Sequence, residues 1–312
     1  MSDTAPRAER VERTARTDYQ ATSDPALLSS ADRGESQLLG YRQLYELWER
    51  QQWATQDIDF SQDRVDWHER IDAEERFQRM YGLSSFFIGE QRVAAELGPM
   101  MRAVPDEDMR IFVCTQIADE ARHVAFFDRF YAEVGVLESD NLQDRLEENA
   151  QYINREFGVL FDEMLHGRVD RLAREPEDVE TLVEAVTLYH MVIEGMLALT
   201  GQHFIMDYNE RVGTLPGFVE GFTRVARDEH RHVAFGARFL RDMARRDERH
   251  LAAIQRTLAE VAPVADAVLR PPWMEGDDDE QTLFGVSVAE TRAFAMRALE
   301  RRMKVIGLLQ AA

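Results

Sequence analysis

The sequence predicts an all-α fold, and three observations carry that expectation. Apolar residues recur at helical spacing along most of the chain after residue 40. Only 9 prolines and 17 glycines interrupt its 312 residues, so long helices are open to it. No stretch alternates apolar and polar residues for the length of a strand.

Taken in order, residues 1–37 mix small, polar and charged residues without periodicity and are expected to form a disordered tail. Residues 38–312 then make one domain. A first helix is expected over 41–53, followed by the polar connection ATQDIDFSQDRVDW. Asp72 is placed to cap a helix that runs to about residue 98, where Pro99 discourages continuation. The next helix begins after Pro105 and ends near Gly135. Others are expected over 141–166, with Gly167 as terminator, and over 176–208. The turn Gly213-Thr214-Leu215-Pro216 opens one more, running to about residue 246. Two last helices, 248–270 and 287–309, are separated by Pro271, Pro272 and the acidic run GDDDE.

Composition narrows the function. Hydrophobic residues make up 45% and charged residues 30%, a globular balance with ample material for a core. The net charge of -21 argues against a nucleic-acid partner, because like charges repel. A single cysteine, Cys114, rules out an intrachain disulfide and reads as core filler on an apolar helix face. The Arg-rich N-terminus lacks the apolar stretch of a secretory signal. No apolar run is expected to reach the ~20 residues that span a bilayer. A cytoplasmic protein without a transmembrane segment is the expectation.

The informative feature is an internal repeat. Residues 119–130 read DEARHVAFFDRF and residues 228–239 read DEHRHVAFGARF, identical at nine of twelve positions. Each copy contains Glu-x-x-His: Glu120 with His123, and Glu229 with His232. Residues three apart on a helix share a face, so each motif aims a carboxylate and an imidazole the same way. Glu163 with His166 has the same spacing but sits at an expected helix end, and reads as a solvated pair.

Upstream of each repeat lies one more carboxylate in apolar surroundings: Glu90 in SSFFIGEQRVAA and Glu194 in HMVIEGMLAL. An ionised carboxylate buried there must be protonated, paired or bound to a cation. The separations from each to its repeat, thirty and thirty-five residues, let one helix end, turn and bring the next beside it. Four carboxylates and two imidazoles on four helices are the ligand set of ferritin-like dinuclear carboxylate proteins. The expected architecture is therefore a ferritin-like four-helix bundle with additional flanking helices. Carboxylates bridge two cations and offset their charge, each imidazole adds a terminal nitrogen donor, and positions stay open for oxygen.

The ordered motifs QQWATQDIDFSQDRVDW, FFIGE, DEARH, VIEG and RDEHRH resemble the small subunit of ribonucleotide reductase and its oxidase relatives, over about residues 41–245. The resemblance implies Glu90, Glu120, His123, Glu194, Glu229 and His232 as metal ligands. It also implies a path from His123 through Asp228 to Trp53; Trp53 reads equally well as a core aromatic. Two features depart from a reductase subunit. The position of the radical-bearing tyrosine is Phe127, although manganese/iron reductases share that phenylalanine. The C-terminal ALERRMKVIGLLQAA looks helical, without a tyrosine-bearing docking tail.

The sequence is more similar to the ligand-binding oxidases of this superfamily, which carry a heterodinuclear manganese/iron centre. In them a valine three residues after the first glutamate becomes joined to a tyrosine five residues before the third-helix glutamate. Val93 and Tyr189 occupy those positions. The resemblance further implies one Mn and one Fe (or two Fe), a homodimer, and a long-chain fatty acid in an apolar channel, with Phe86, Phe87 and Met191 as candidate lining or core residues. The expected activity is a two-electron oxidation of C–H bonds. A reductase small subunit is the runner-up, and iron storage is the competing reading of another class. An acyl-carrier-protein desaturase leaves IDFSQDRVDW and the Val93/Tyr189 pair unexplained. Val225 stands where arylamine oxygenases carry an extra histidine.

Overall fold

A computed structural model describes residues 38–274 and 281–308. The N-terminal tail expected over 1–37, the acidic run and the last four residues lie outside the described residues.

The described chain is almost entirely helical. Helix α1 is Tyr41–Arg50, and α2 is Ser61–Val65, continued by a π-helical turn, Asp66–Arg70. The first long helix, α3, is Ala73–Ala103, and the Asp72 carboxylate caps it at Glu75 N (2.9 Å). Helix α4, Glu107–Val134, starts at an Asp106 cap and stops at Gly135, whose φ of 75° is the left-handed conformation that ends helices. Helix α5 is Leu142–Asn149, and α6 covers 155–174 with a π-helical segment, Val159–Leu165. Helix α7, Val179–Val212, contains a second π-helical segment, Thr187–Ala198. Helix α8 is Pro216–Arg246 and α9 is Glu248–Val268. A small hairpin, β1 (Thr282–Leu283) and β2 (Val286–Ser287), leads into α10, Val288–Ile306, which opens with a Ser287/Glu290 capping box.

Four long helices form the bundle. Short turns join α3 to α4 and α7 to α8, and further packing of α4 on α8 and α3 on α7 closes the ring. Helix α1 lies across α4 and α8, while α9 and α10 cover α7 and α8. Asp63 on α2 fixes the start of α8, accepting hydrogen bonds from Gly217 N (2.8 Å) and Phe218 N (2.6 Å). A side chain at Gly217 would meet the Asp59 carbonyl at 2.4 Å, so only glycine fits this junction.

Several expectations need correction. Pro99 does not end α3: it sits in the last turn, where it forgoes one backbone bond and the Val104 N–H still reaches Met100 O. Gly167 does not end a helix over 141–166. The break falls at Ala150–Tyr152 and Asn154, whose side chain caps α6, and α6 runs through Gly167 to Arg174. Cys114 is exposed rather than core filler, because α4 turns its Phe112 and Val113 inward and Cys114 out. One helical run, Val179–Val212, is long and apolar enough to cross a membrane by length and composition alone. In that run 78% of the most apolar window is buried, as befits the central helix of a bundle.

Candidate metal centre

The bundle brings all six carboxylates and imidazoles together. Glu90 comes from α3, Glu120 and His123 from α4, Glu194 from α7, and Glu229 and His232 from α8. They form two overlapping groups, Glu90–Glu120–His123–Glu229 and Glu120–Glu194–Glu229–His232, each with ligand atoms within 4.8 Å of one another. Glu120 and Glu229 belong to both groups, and the other four residues belong to one each.

The geometry has an internal two-fold character. His123 turns Nδ1 toward Glu90 Oε2 (3.3 Å), Glu120 Oε2 (3.4 Å) and Glu229 Oε1 (3.4 Å). His232 turns Nδ1 toward Glu194 Oε1 (3.2 Å), Glu120 Oε1 (3.3 Å) and Glu229 Oε2 (3.7 Å). Each imidazole spends its other nitrogen on an aspartate of the opposite repeat. His123 Nε2 lies 3.3 Å from Asp228 Oδ2, and His232 Nε2 lies 3.2 Å from Asp119 Oδ2. Such a partner fixes the tautomer and the ring orientation of a ligating histidine.

The two aspartates are themselves clamped. Arg231 donates to Asp119 Oδ2 (2.9 Å) and Asp228 Oδ1 (2.6 Å), and Arg122 donates to both aspartates from the other repeat. Trp53 Nε1 donates to Asp228 Oδ2 (2.8 Å), which completes the expected path His123–Asp228–Trp53. Trp48 Nε1 donates to Asp119 (2.9 Å) and makes a matching arm to His232, which the sequence reading missed. The repeat signals only the aspartate of this arm, because Asp119 matches Asp228 between its two copies while Trp48 lies outside it.

Burial sets the protonation. It pushes the carboxyls of Glu90 and Glu194 well above their ordinary value, with the facing Glu229 adding to both. Burial also works against the charged forms of His123 and His232, but the surrounding carboxylates outweigh it and raise both imidazoles. At Glu120 burial is outweighed by the neighbouring imidazoles of His123 and His232, which hold it at about 2.

These residues fit a pair of cations. Glu120 Oε2, Glu194 Oε2, Glu229 Oε2 and His232 Nδ1 are buried without a hydrogen-bond partner, a costly state for polar atoms that face one another. The 3.2–3.7 Å separations suit donors around a common ion, since ligands at about 2.0–2.2 Å from a metal stand roughly 3 Å apart. Nitrogen and oxygen donors in this mixture favour first-row transition metals.

An apolar cavity of about 170 Å³ opens onto the centre. Glu90, Glu120, Glu194 and Glu229 close its inner end, and Val93 and Tyr189 line it beside them. The Tyr189 hydroxyl donates to Glu120 Oε1 (2.7 Å) and accepts from Gln116 Nε2 (2.9 Å). Gln116 also donates to Glu194 Oε1 (3.0 Å) and faces His190 at 3.2 Å, two residues the sequence did not single out. Phe86 lines the cavity, whereas Phe87 and Met191 lie in the core. Phe127 is fully buried among Phe86, Phe87, Phe126, Phe218 and Phe222. The Glu163/His166 pair stays outside the centre, with exposed His166 bonded to Glu96 (2.8 Å).

A family model described as ribonucleotide reductase, small chain, matches residues 39–269. The chain belongs to this family. Among solved structures it is similar to an R2-like ligand-binding oxidase, a tyrosine-to-phenylalanine mutant with aerobically reconstituted Mn/Fe cofactor. That match has 26% identity and a TM-score of 0.74, covering 86% of this chain and 93% of the other. A valine-to-isoleucine mutant of an R2-like ligand-binding oxidase, with anaerobically reconstituted Mn/Fe cofactor, matches at 25% identity and a TM-score of 0.73, with the same coverage.

Proposed function

We propose that this member of the small-chain family is an oxygen-activating Mn/Fe oxidase that takes an apolar, fatty-acid-like ligand. Two iron ions are the variant composition of the same reading. The observation that carries it is the cavity: apolar walls that end on the shared pair Glu120 and Glu229. An iron store has no use for an apolar channel to its metals. A reductase subunit with a stable tyrosyl radical is disfavoured by Phe127, which has no hydroxyl, although manganese/iron reductases share that phenylalanine.

In this reading Glu90 and His123 would hold one metal and Glu194 and His232 the other, with Glu120 and Glu229 within reach of both. When bound, the reduced metal pair supplies the electrons and Lewis acidity that dioxygen chemistry needs. The residues orient the rest. Asp228 and Asp119 hold the imidazoles, Gln116 pins the Tyr189 hydroxyl, and the apolar walls exclude water from the ligand's carbon chain. Tyr189 keeps its proton, because burial and the charge of Glu120 raise its phenol well above the usual range.

The cavity places Val93 and Tyr189 on common walls, which supports an internal ether between Tyr189 Oη and Val93 Cβ. The Tyr189 O–H and the tertiary Val93 C–H break, one C–O bond forms, and two protons and two electrons leave for dioxygen. Peptide mass spectrometry of protein loaded anaerobically with manganese and iron tests this, before and after air. The two peptides should appear joined and two hydrogens lighter only after air, and Tyr189→Phe should prevent the join while metals stay bound. For the centre itself, Glu194→Ala or His123→Ala should abolish metal binding at one or both sites, while Glu163→Ala should leave metal content unchanged. Equal losses from both sets would overturn the ligand assignment. A dimer in gel filtration fits the oxidase, and a large cage fits storage.

A further inference from the structure

Away from the carboxylates, the cavity is lined in part by Phe284, a residue in an unusual backbone state. Strands β1 and β2 pair Thr282 with Ser287 and Leu283 with Val286, leaving Phe284 and Gly285 as a two-residue turn. Both have positive φ, 56° and 77°. Turns of this kind favour asparagine, aspartate or glycine, and a large aromatic side chain there is an outlier. Strain of that sort persists only where the surroundings impose it.

The surroundings of Phe284 do so. Arg211 donates to its carbonyl (3.1 Å), and its ring lies 4.8 Å from the ring of Tyr208. Tyr208 is in turn held by Glu75 (2.9 Å) and flanked by Arg79 and Arg211. Beyond the ring lies a second space of about 10 Å³, between Leu83, Tyr208, Leu215 and Phe218. Two residues line both spaces, Phe284 and Ile205. Ile205 reaches this position because residue 82 is glycine; a Cβ there would meet Ile205 Cδ1 at 2.9 Å. The partition between the spaces is thus one isoleucine on α7 and one strained phenylalanine on a hairpin tip.

We propose that Phe284 is the residue that limits ligand length: with Ile205 it parts the apolar cavity from the space beside it, and so selects the carbon-chain length of the ligand. The inference rests on the ligand reading above and concerns another part of the same cavity. A methylene that finds apolar walls strengthens binding roughly fourfold, and one that is forced past the partition adds nothing. Affinity along a series of straight-chain fatty acids should therefore climb and then flatten at one length. Removing the ring joins the two spaces and should move the flattening point to longer chains, leaving shorter chains unaffected.

The experiment is a displacement titration of a fluorescent fatty acid from the metal-loaded protein by saturated fatty acids of increasing length. Wild type, Phe284→Ala and Phe284→Asn are compared, the asparagine variant because it suits the positive φ and keeps the turn. A plateau that moves to longer chains in both variants, at unchanged melting temperature, is the expected result. An identical plateau in wild type and Phe284→Asn overturns the proposal while the ligand reading stands. So does a uniform loss of affinity for every chain length, which would make Phe284 a contact and not a limit. Failure of wild type to bind any member of the series removes the ligand reading, and the proposal with it.

Discussion

At the scale of single residues, the centre without metal is a proton store. Glu90 and Glu194 are raised by burial, and His123 and His232 are raised, against burial, by the carboxylates they face. Cations must displace those protons, so metal affinity should fall as pH falls. Calorimetric titration of the apoprotein with Mn(II) or Fe(II), repeated in buffers of different ionisation heat, should report up to four protons released, one from each group. Release of none would show that the four groups are already ionised as the cation needs them. The same shifts fix a stability sign. All four folded values lie above the unfolded ones, 4.5 for the glutamates and 6.5 for the histidines. Their contribution is complete below those values and is lost as pH rises through the raised ones. The melting temperature of the apoprotein should therefore decline as pH rises above 6.5, with a weaker decline in the metal-loaded protein. Of the centre's residues, Glu120, His123, Glu229 and His232 were legible because Glu-x-x-His is a local pattern that occurs twice, and Glu90 and Glu194 because each is a carboxylate in an apolar run upstream of a copy. Trp48, Gln116 and His190 were not, because their roles come from contacts across helices that no spacing within one helix encodes.

At the scale of elements, helix glycines separate close approach from idle space. On α8, a Cβ at Gly236 would stand 2.3 Å from the Cβ of His190 on α7, a contact that only backbone movement relieves. Gly236 aligns with Phe127 in the repeat, so the two copies diverge where one helix packs on its neighbour and the other fills an aromatic cluster. Gly236→Ala should cost about 1–3 kcal/mol as an overpacked core does, with reduced metal content because His190 faces Gln116, which in turn holds Glu194. Gly167 is the opposite case. It is exposed within α6, and nothing lies within 4 Å of its would-be Cβ. Gly167→Ala should stabilise by roughly 0.5–1 kcal/mol, read as a rise in the denaturant midpoint at unchanged slope. Sequence reading took Gly167 for a helix end because glycine often ends helices. The helix continues because Arg168, Val169 and Leu172 beyond it are buried, and that packing overrides local propensity. Pro99 was misread for a similar reason, since the last turn of α3 still buries Met100 and Ala103.

At the scale of the whole molecule, the proposed ether would do more than mark oxidation. It would tie α3 to α7 and close a covalent loop of about a hundred residues that includes α4, α5 and α6. A cross-link of that span removes denatured-state entropy worth about 4–5 kcal/mol if it adds no strain to the folded protein. Metal binding also stabilises by favouring the folded state, but that part vanishes when the metals are stripped. The two contributions can therefore be told apart. Protein loaded with manganese and iron, exposed to air and then stripped with a chelator should melt roughly 8–20 °C above protein taken through the same steps without air, at about 2–4 °C per kcal/mol. Tyr189→Phe should erase the difference, because it lacks the oxygen that forms the bond. Scanning calorimetry on the four samples decides the matter. Equal melting temperatures in stripped wild-type samples, with and without air, would mean that the loop is never closed. A difference that persists in Tyr189→Phe would assign it to some other oxidation, with exposed Cys114, the single thiol of the chain, the first group to examine.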